Sequence, residues 1–489
     1  MSKGNRTGTT TKMTTTMTAK MTPKMTTTTT TKTRTERDSL GEIEVPADAL
    51  WGAQTARALG NFTVTGLRAH PRFVEAYVLV KKAAALANME LGALDAGRGR
   101  AIVAAADEVL AGRHRDQFVV DVINAGAGTS FNMNVNEVLA NRALQLMGKA
   151  PGDIGSLSPN DHVNMAQSTN DTFPTAMHLA VLLLHPELDA AVGELASALA
   201  SKGRDWEDIV KSGRTHLQDA VPTTLGAEFA AYAAALERSR RLLGHLRDDL
   251  LELPLGGTAV GTGTNAHPRY REVAIGHLQK LTGLPLRGAP DMREAMQSRQ
   301  SIAAYSGGLR ALALELIRIA NDLRLLSSGP TSGIGELVPP PVQPGSSIMP
   351  GKVNPVMAEC LDMLAFQVVG NDTAVAMAAQ AGQLELNVMM PVMVHNVLCS
   401  MQWLVNYLPT FTERGVRALR ADPARCRELV MLNPSIATLL APRIGYLAAA
   451  ELAKEAVEGG VPVLDLAVRQ GRITKADRDG LLAKLGIEG

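Results

Sequence analysis

The sequence predicts an all-α protein built round a long helix bundle, and three observations carry that expectation. Leu225, Phe229, Tyr232, Leu236, Leu243, Leu246 and Leu250 follow spacings of four and three, a heptad stripe broken only at Ser239. Leu312, Leu316, Ile319, Leu323 and Leu326 repeat the pattern. The composition, 46% hydrophobic but only 3% aromatic and rich in Ala, Leu and Val, favours helices, and no alternating strand–helix units interrupt it.

Taken in chain order, the first element is a tail. Residues 1–37 are expected to be disordered: seventeen of the first 35 residues are Thr, and residues 1–38 hold eight Lys or Arg against two acids. The tail lacks the apolar stretch of a secretory signal; it loosely resembles a transit peptide but reads better as an upstream start. Helices are expected at 72–90, 131–148, 172–203 with a break near Pro186, 225–250, around 312–326, 355–381, 386–407 and 443–457. The run from Leu386 to Thr412 carries no charge, yet Asn387, Pro391, His395, Asn396, Gln402 and Asn406 mark it as a helix buried among helices, not a membrane span. Forty-nine basic against 48 acidic residues give a net charge of +1, which argues against a nucleic-acid partner. Cys360, Cys399 and Cys426 form no CxxC pair, so neither a disulfide framework nor a thiolate metal site is expected, and a cytoplasmic setting fits.

Five polar segments stand out: 126–134 (GAGTSFNMN), 158–174 (SPNDHVNMAQSTNDTFP), 212–222 (SGRTHLQDAVP), 257–265 (GTAVGTGTN) and 344–355 (PGSSIMPGKVNP). Three run into long helices. Thr129 and Ser130 precede the first, Ser168, Thr169 and Asn170 the second, Thr215 and His216 the third. Helix N-termini offer free N–H groups and partial positive charge, so with hydroxyls they suit a carboxylate. Each residue alone reads as an N-cap worth about 1 kcal/mol; together they exceed what capping requires. The last segment reads as a mobile lid in which Lys352 and Asn354 can hold a carboxylate while Ser346 approaches a carbon acid. The 257–265 segment lacks the third glycine and preceding strand of a dinucleotide fingerprint. His178 and His395, both in helical runs, read as core residues.

PGSSIMPGKVNP resembles the signature of the fumarase/aspartase superfamily, and the other polar segments resemble its further blocks in the same order, over residues 38–489. DQFVVDVINAGAGTS, NDLRLLSSGP and MAAQAGQLELNV are more similar to the aspartate ammonia-lyase branch; LWGAQTARALGNF, LPLGGTAVGTGTNAHP and PVMVHNVL are more similar to class II fumarase. The resemblance implies an all-α, three-domain subunit (38–169, a central bundle 170–424, and 425–489) assembled as a homotetramer with composite active sites. It implies a small dicarboxylate substrate and no required cofactor or metal site, with divalent-cation activation left open. Aspartate elimination is favoured over malate dehydration, and a non-catalytic oligomer of the same fold is the remaining alternative.

The resemblance also implies roles. Ser346 is the base that removes a Cβ proton. Thr129, Ser168, Thr169 and Ser347 donate to the resulting enediolate, with Ser130 beside them. Lys352, Asn354 and Thr215 hold the α-carboxylate, Asn170 and His216 meet the amine, and Glu359 supports His216 across a subunit boundary. Two positions depart from the family pattern: Thr331 stands where Arg is usual, and Ser158 where His is usual.

Overall fold

The computed structural model describes residues 32–487. The helices of the first part are α1 (Ala53–Asn61), α2 (Pro71–Glu90), α3 (Ala96–Leu110) and α4 (Thr129–Leu146). The bundle consists of α5 (Thr169–Asp205), α6 (Leu225–Asp249), α7 (Tyr270–Thr282), α8 (Met292–Gln297), α9 (Gln300–Leu326), α10 (Val356–Gln380) and α11 (Met390–Phe411). Five shorter helices close the chain: α12 (Pro423–Leu432), α13 (Ala441–Ile444), α14 (Tyr446–Gly459), α15 (Val463–Arg469) and α16 (Lys475–Lys484).

The heptad stripes are the seams of the bundle. Leu225, Phe229, Tyr232, Leu236 and Leu243 of α6 are buried against α5 and α9, and Leu312, Leu316, Ile319, Leu323 and Leu326 of α9 against α10 and α6. Ser239 is buried too, its hydroxyl donating to the Ala235 carbonyl at 3.2 Å, so the stripe tolerates one self-satisfied polar residue. Helix α9 begins twelve residues before its stripe, at Gln300.

Several expectations need correction. No break occurs near Pro186: α5 runs 37 residues through Pro174 and Pro186, because Val181, Leu182, Leu184, Leu188, Ala191 and Val192 bury both sides of the second proline. Helix α11 begins four residues later than expected. Asn387 prevents an earlier start, since its side-chain amide donates to the Ala378 and Ala379 carbonyls at the end of α10 and its oxygen accepts from Met389 N–H. The disordered tail is too long by several residues, since strand β1 (Thr33–Asp38) pairs antiparallel with β2 (Gly41–Pro46). Arg34 anchors that hairpin by donating to Glu36 and to the carbonyls of Pro46, Ala49 and Trp51. Residues 1–31 of the expected tail lie outside the described residues.

A second hairpin spans the polar 212–222 segment: β3 (Val210–Thr215) pairs with β4 (Gln218–Thr224). Its tip is His216 and Leu217, both at positive φ (55° and 60°). This two-residue turn lacks the Asn-Gly or Gly-Gly that normally announces it. Two parallel or antiparallel pairs of two residues each complete the strands: β5 (Glu252–Leu253) with β6 (Arg287–Gly288), and β7 (Leu337–Val338) with β8 (Arg420–Ala421).

The buried apolar residues from Leu50 to Leu419 form one continuous cluster, and a second from Val430 to Ile487 belongs to the last helices. Among the described residues no helix is long and apolar enough to cross a membrane.

Phe229 joins α6 to the end of α5, edge-on to Trp206 with ring centroids 4.7 Å apart. Phe229→Ala is expected to lower unfolding free energy by about 3–5 kcal/mol, read by urea denaturation.

Candidate active site

At the N-terminal end of α5, five of the expected residues gather: Thr129, Ser130, Ser168, Thr169 and Asn170. Gly128 precedes α4 at φ +85°, and a Cβ there would stand 2.1 Å from the Phe173 ring, so only glycine lets the α4 and α5 N-termini approach so closely. Thr129 is exposed and its hydroxyl turns inward onto the Gly126 carbonyl (2.6 Å), so a donor role requires it to rotate. Ser130 is half-buried one position on. Ser168 caps α5, accepting from Asn170 N–H (3.2 Å), which is the ordinary capping role; its own proton remains free to donate. Thr169 is buried and accepts from the Asn132 amide at 3.0 Å. Asn170 donates to the Ala259 carbonyl, tying this end to the 257–265 segment.

Asp171 locks the same corner. One carboxylate oxygen takes Ser168 N–H (2.9 Å) and the other takes Gly256 and Thr258 N–H (3.0 Å each). Complete burial nonetheless raises its pKa to about 6. The 257–265 segment is thus a strap over the α5 N-terminus, not a nucleotide loop.

The remaining residues sit on the β3–β4 hairpin and the loop before α10. Thr215 ends β3 and His216 forms the strained tip, both exposed. A buried ion cluster fixes the hairpin's base: Glu336, fully buried, meets Arg214 at 2.8 Å and Lys211 at 3.2 Å, and Lys211 also meets Glu228 at 2.7 Å. Asn433 pins the other side through Ser212 Oγ and the Ala220 carbonyl.

In the 344–355 loop, Ser346 Oγ accepts from two backbone N–H groups, those of Ile348 (3.2 Å) and Met349 (3.1 Å). Two convergent donors favour the anionic form of that oxygen. Gly345 N–H donates to the Lys352 carbonyl and the Asn354 amide to the Gly345 carbonyl, closing the neck of the loop. A Cβ on Gly345 would meet the Lys352 carbonyl oxygen at 2.2 Å. Asn354 therefore shapes the lid in this chain, while Ser347 and Lys352 are exposed at its surface. Glu359 is half-buried in the first turn of α10. Thr331 is exposed. Ser158 is buried and accepts from Asp161 N–H, while its own N–H donates to His162, so a histidine four residues on serves that turn.

One chain does not bring these two groups together. Thr169 begins α5, and the hairpin follows its last residue; at 1.5 Å per residue a 37-residue helix separates them by about 55 Å. Glu336 joins the stretch before the lid to the hairpin, and Lys202, near the end of α5, donates to the Leu419 carbonyl, whose residue shares a cleft with Asn354 and Pro355. The lid and the hairpin thus lie at the same far end.

The fold coincides with that of proteins already known. The lyase family matches residues 41–370 and the fumarase C C-terminal family residues 436–484. The chain belongs to the fumarase/aspartase family of lyases. An aspartate ammonia-lyase of Bacillus subtilis is 47% identical over 459 residues, 93% of this chain and 97% of that protein. A class II fumarate hydratase of Halobacterium salinarum is 49% identical over 454 residues, covering 93% and 96%. The crystal structure of a fumarate lyase:delta crystallin from Brucella melitensis, bound to cobalt, superposes with a TM-score of 0.90 at 46% identity over 93% of this chain and 99% of that one.

In this fumarase/aspartase-family lyase, sequence reading missed the residues that hold the site: Lys81, Asn132, Asn164, Asp171, Arg214 and Glu336. A charged or amide residue carries no local mark of being buried, whether it lies in a helix or strand, as Lys81, Asn132, Asp171 and Arg214 do, or between elements, as Asn164 and Glu336 do. His178 is a core residue, bonded to the Glu252 carbonyl and Ser301 and held neutral by burial at a pKa of about 4. His395 is half-buried beside Cys399.

Glu336→Ala would leave Arg214 and half of Lys211's pairing uncompensated inside the protein. A loss of about 3–5 kcal/mol in urea denaturation is expected.

Proposed function

We propose that this lyase is an aspartate ammonia-lyase, converting L-aspartate reversibly to fumarate and ammonia. The observation that carries the reading is the Ser346 oxygen facing the Ile348 and Met349 N–H groups, which suits it to act as an oxyanion base on a carbon acid. The Cβ–H bond breaks, its proton passes to Ser346 Oγ, and the electron pair spreads into the β-carboxylate as an enediolate. The pair then returns to form the Cα–Cβ double bond as the Cα–N bond breaks and the nitrogen leaves. Thr129, Ser168, Thr169 and Ser347 donate to the enediolate, with Ser130 lining the corner. Lys352, Asn354 and Thr215 hold the α-carboxylate, Asn170 and His216 meet the amine, and Glu359 supports His216. No cofactor takes part in this scheme.

The reading requires more than one chain, because about 55 Å separates Thr169 from the hairpin that carries His216. A homotetramer supplies the missing partners. Its contact surface is supported by large apolar side chains exposed along the bundle: Met363, Phe366 and Met377 of α10 and Leu314 of α9 are 53–64% exposed. Free cysteines at 360, 399 and 426 fit a cytoplasmic enzyme.

The choice of aspartate is supported by the Bacillus relative and by the 116–130, 321–330 and 377–388 stretches. A second reading, class II fumarase, is favoured by the Halobacterium relative and by the 50–62, 253–268 and 391–398 stretches. Purified protein incubated separately with L-aspartate and L-malate, with fumarate followed by absorbance, separates the two. Fumarate is expected from aspartate; fumarate from malate alone reverses the choice, and none from either leaves the non-catalytic oligomer.

Ser346→Ala is expected to lower kcat about 10²–10⁴-fold with the fold intact by circular dichroism. Light scattering is expected to give four times the chain mass of 51.8 kDa; a monomeric active enzyme would contradict shared sites.

A further inference from the structure

Behind the hydroxyls of the α4–α5 corner lies a buried cation that no role above uses. Lys81 of α2 is fully buried and donates to two amide oxygens, Asn164 Oδ1 at 2.9 Å and Gln167 Oε1 at 3.0 Å, with the Tyr77 ring 5.6 Å away. No carboxylate lies within ion-pair distance among the described residues, and burial lowers its pKa to about 7. The charged lysine has only donors, so it holds both amide oxygens turned inward.

That orientation propagates. Asn164 Oδ1 also accepts from Asn132 Nδ2 (3.3 Å) and Asn136 Nδ2 (3.2 Å), so both of those amides present their nitrogens to it. The same Asn132 nitrogen donates to Thr169 Oγ1 at 3.0 Å. The orientation is imposed, not relaxed: the Asn132 and Asn136 side-chain oxygens are left buried without partners. Were Asn132 reversed, its oxygen would face Thr169 and take the hydroxyl proton.

Thr169 is thereby set apart from its neighbours on α5. Thr172 and Thr175 donate to the carbonyls of Ser168 and Asp171, at 2.8 and 2.7 Å. Thr169 accepts from Asn132, and no acceptor for its proton lies within hydrogen-bond distance among the described residues. We propose that Lys81, acting through Asn164 and Asn132, is a positioning residue that keeps the Thr169 hydroxyl a hydrogen-bond donor toward the substrate carboxylate. The proposal rests on the reading above, in which Thr169 faces the dicarboxylate. It adds a polarity to that contact: a second-rank cation sets which way a neutral hydroxyl points, so that its proton meets the growing negative charge.

A double-mutant cycle tests it, using Lys81→Met, Thr169→Val and the pair, with kcat and KM measured on whichever of aspartate or malate the wild type consumes. Each single variant is expected to lower kcat about 10- to 100-fold, the worth of one hydrogen bond to a charged group. With Thr169 already replaced, Lys81→Met is expected to change kcat less than about twofold. Losses that multiply would overturn the proposal, since a purely structural lysine acts whether or not the hydroxyl exists. Should Lys81→Met fail to fold by circular dichroism, Asn132→Leu runs the same cycle. Calorimetric binding of succinate, which needs no turnover, repeats it: the two single losses of affinity should again not multiply. A wild type that neither binds succinate nor forms fumarate overturns the underlying reading as well; one that does both, with multiplying losses, overturns only the role of Lys81.

Discussion

A long helix held along its length by neighbouring helices cannot bend its ends together, and α5 is such a helix. Its 37 residues bury Thr169 at one end and Gly203 near the other, with apolar side chains facing α2, α6 and α11 between them. The hydroxyl corner and the serine lid are therefore kept about 55 Å apart in each chain. That rigidity is what the proposed shared site requires: each half is held still, so that assembly of the proposed tetramer would set the register between halves.

The two ends are held by different electrostatics. At the hairpin, opposite charges meet inside the protein, Glu336 with Arg214 and Lys211, and the ion cluster fixes a strand whose tip is a strained His216. At the corner the buried groups are Asp171, bound by three backbone N–H groups, and Lys81, bound by two amide oxygens. There, in the proposed reading, direction matters more than charge, because the hydroxyls have to keep their protons aimed outward. The lid follows the same logic on a smaller scale, with two N–H groups turned onto one serine oxygen.

Much of this was legible in the chain. The 225–250 and 312–326 stripes became buried seams because periodicity of 3.5 leaves a helix no other way to hide its leucines. The 126–134 and 158–174 segments contain the N-termini of α4 and α5, and 344–355 is the loop that leads into α10. Pro186 misled, since a proline breaks a helix only where packing on both sides is too weak to hold it. The β3–β4 hairpin was invisible because neither His216 nor Leu217 announces a positive φ. Lys81 carries no mark in the sequence, because the eighteen-residue α4 and the loop with Asn164 and Gln167 that surround it lie far along the chain.

The helical architecture, the family and the candidate chemistry could be read from the chain alone, since those depend on local periodicity and on residue types clustered in short segments. Which hydroxyls donate and which accept within the protein, which charges are buried, and the division of the candidate residues into two distant groups emerged from the folded arrangement. Those properties belong to pairs such as Asn132 with Thr169 or Glu336 with Arg214, separated by dozens of residues, and a pair's geometry exists only once the chain has folded.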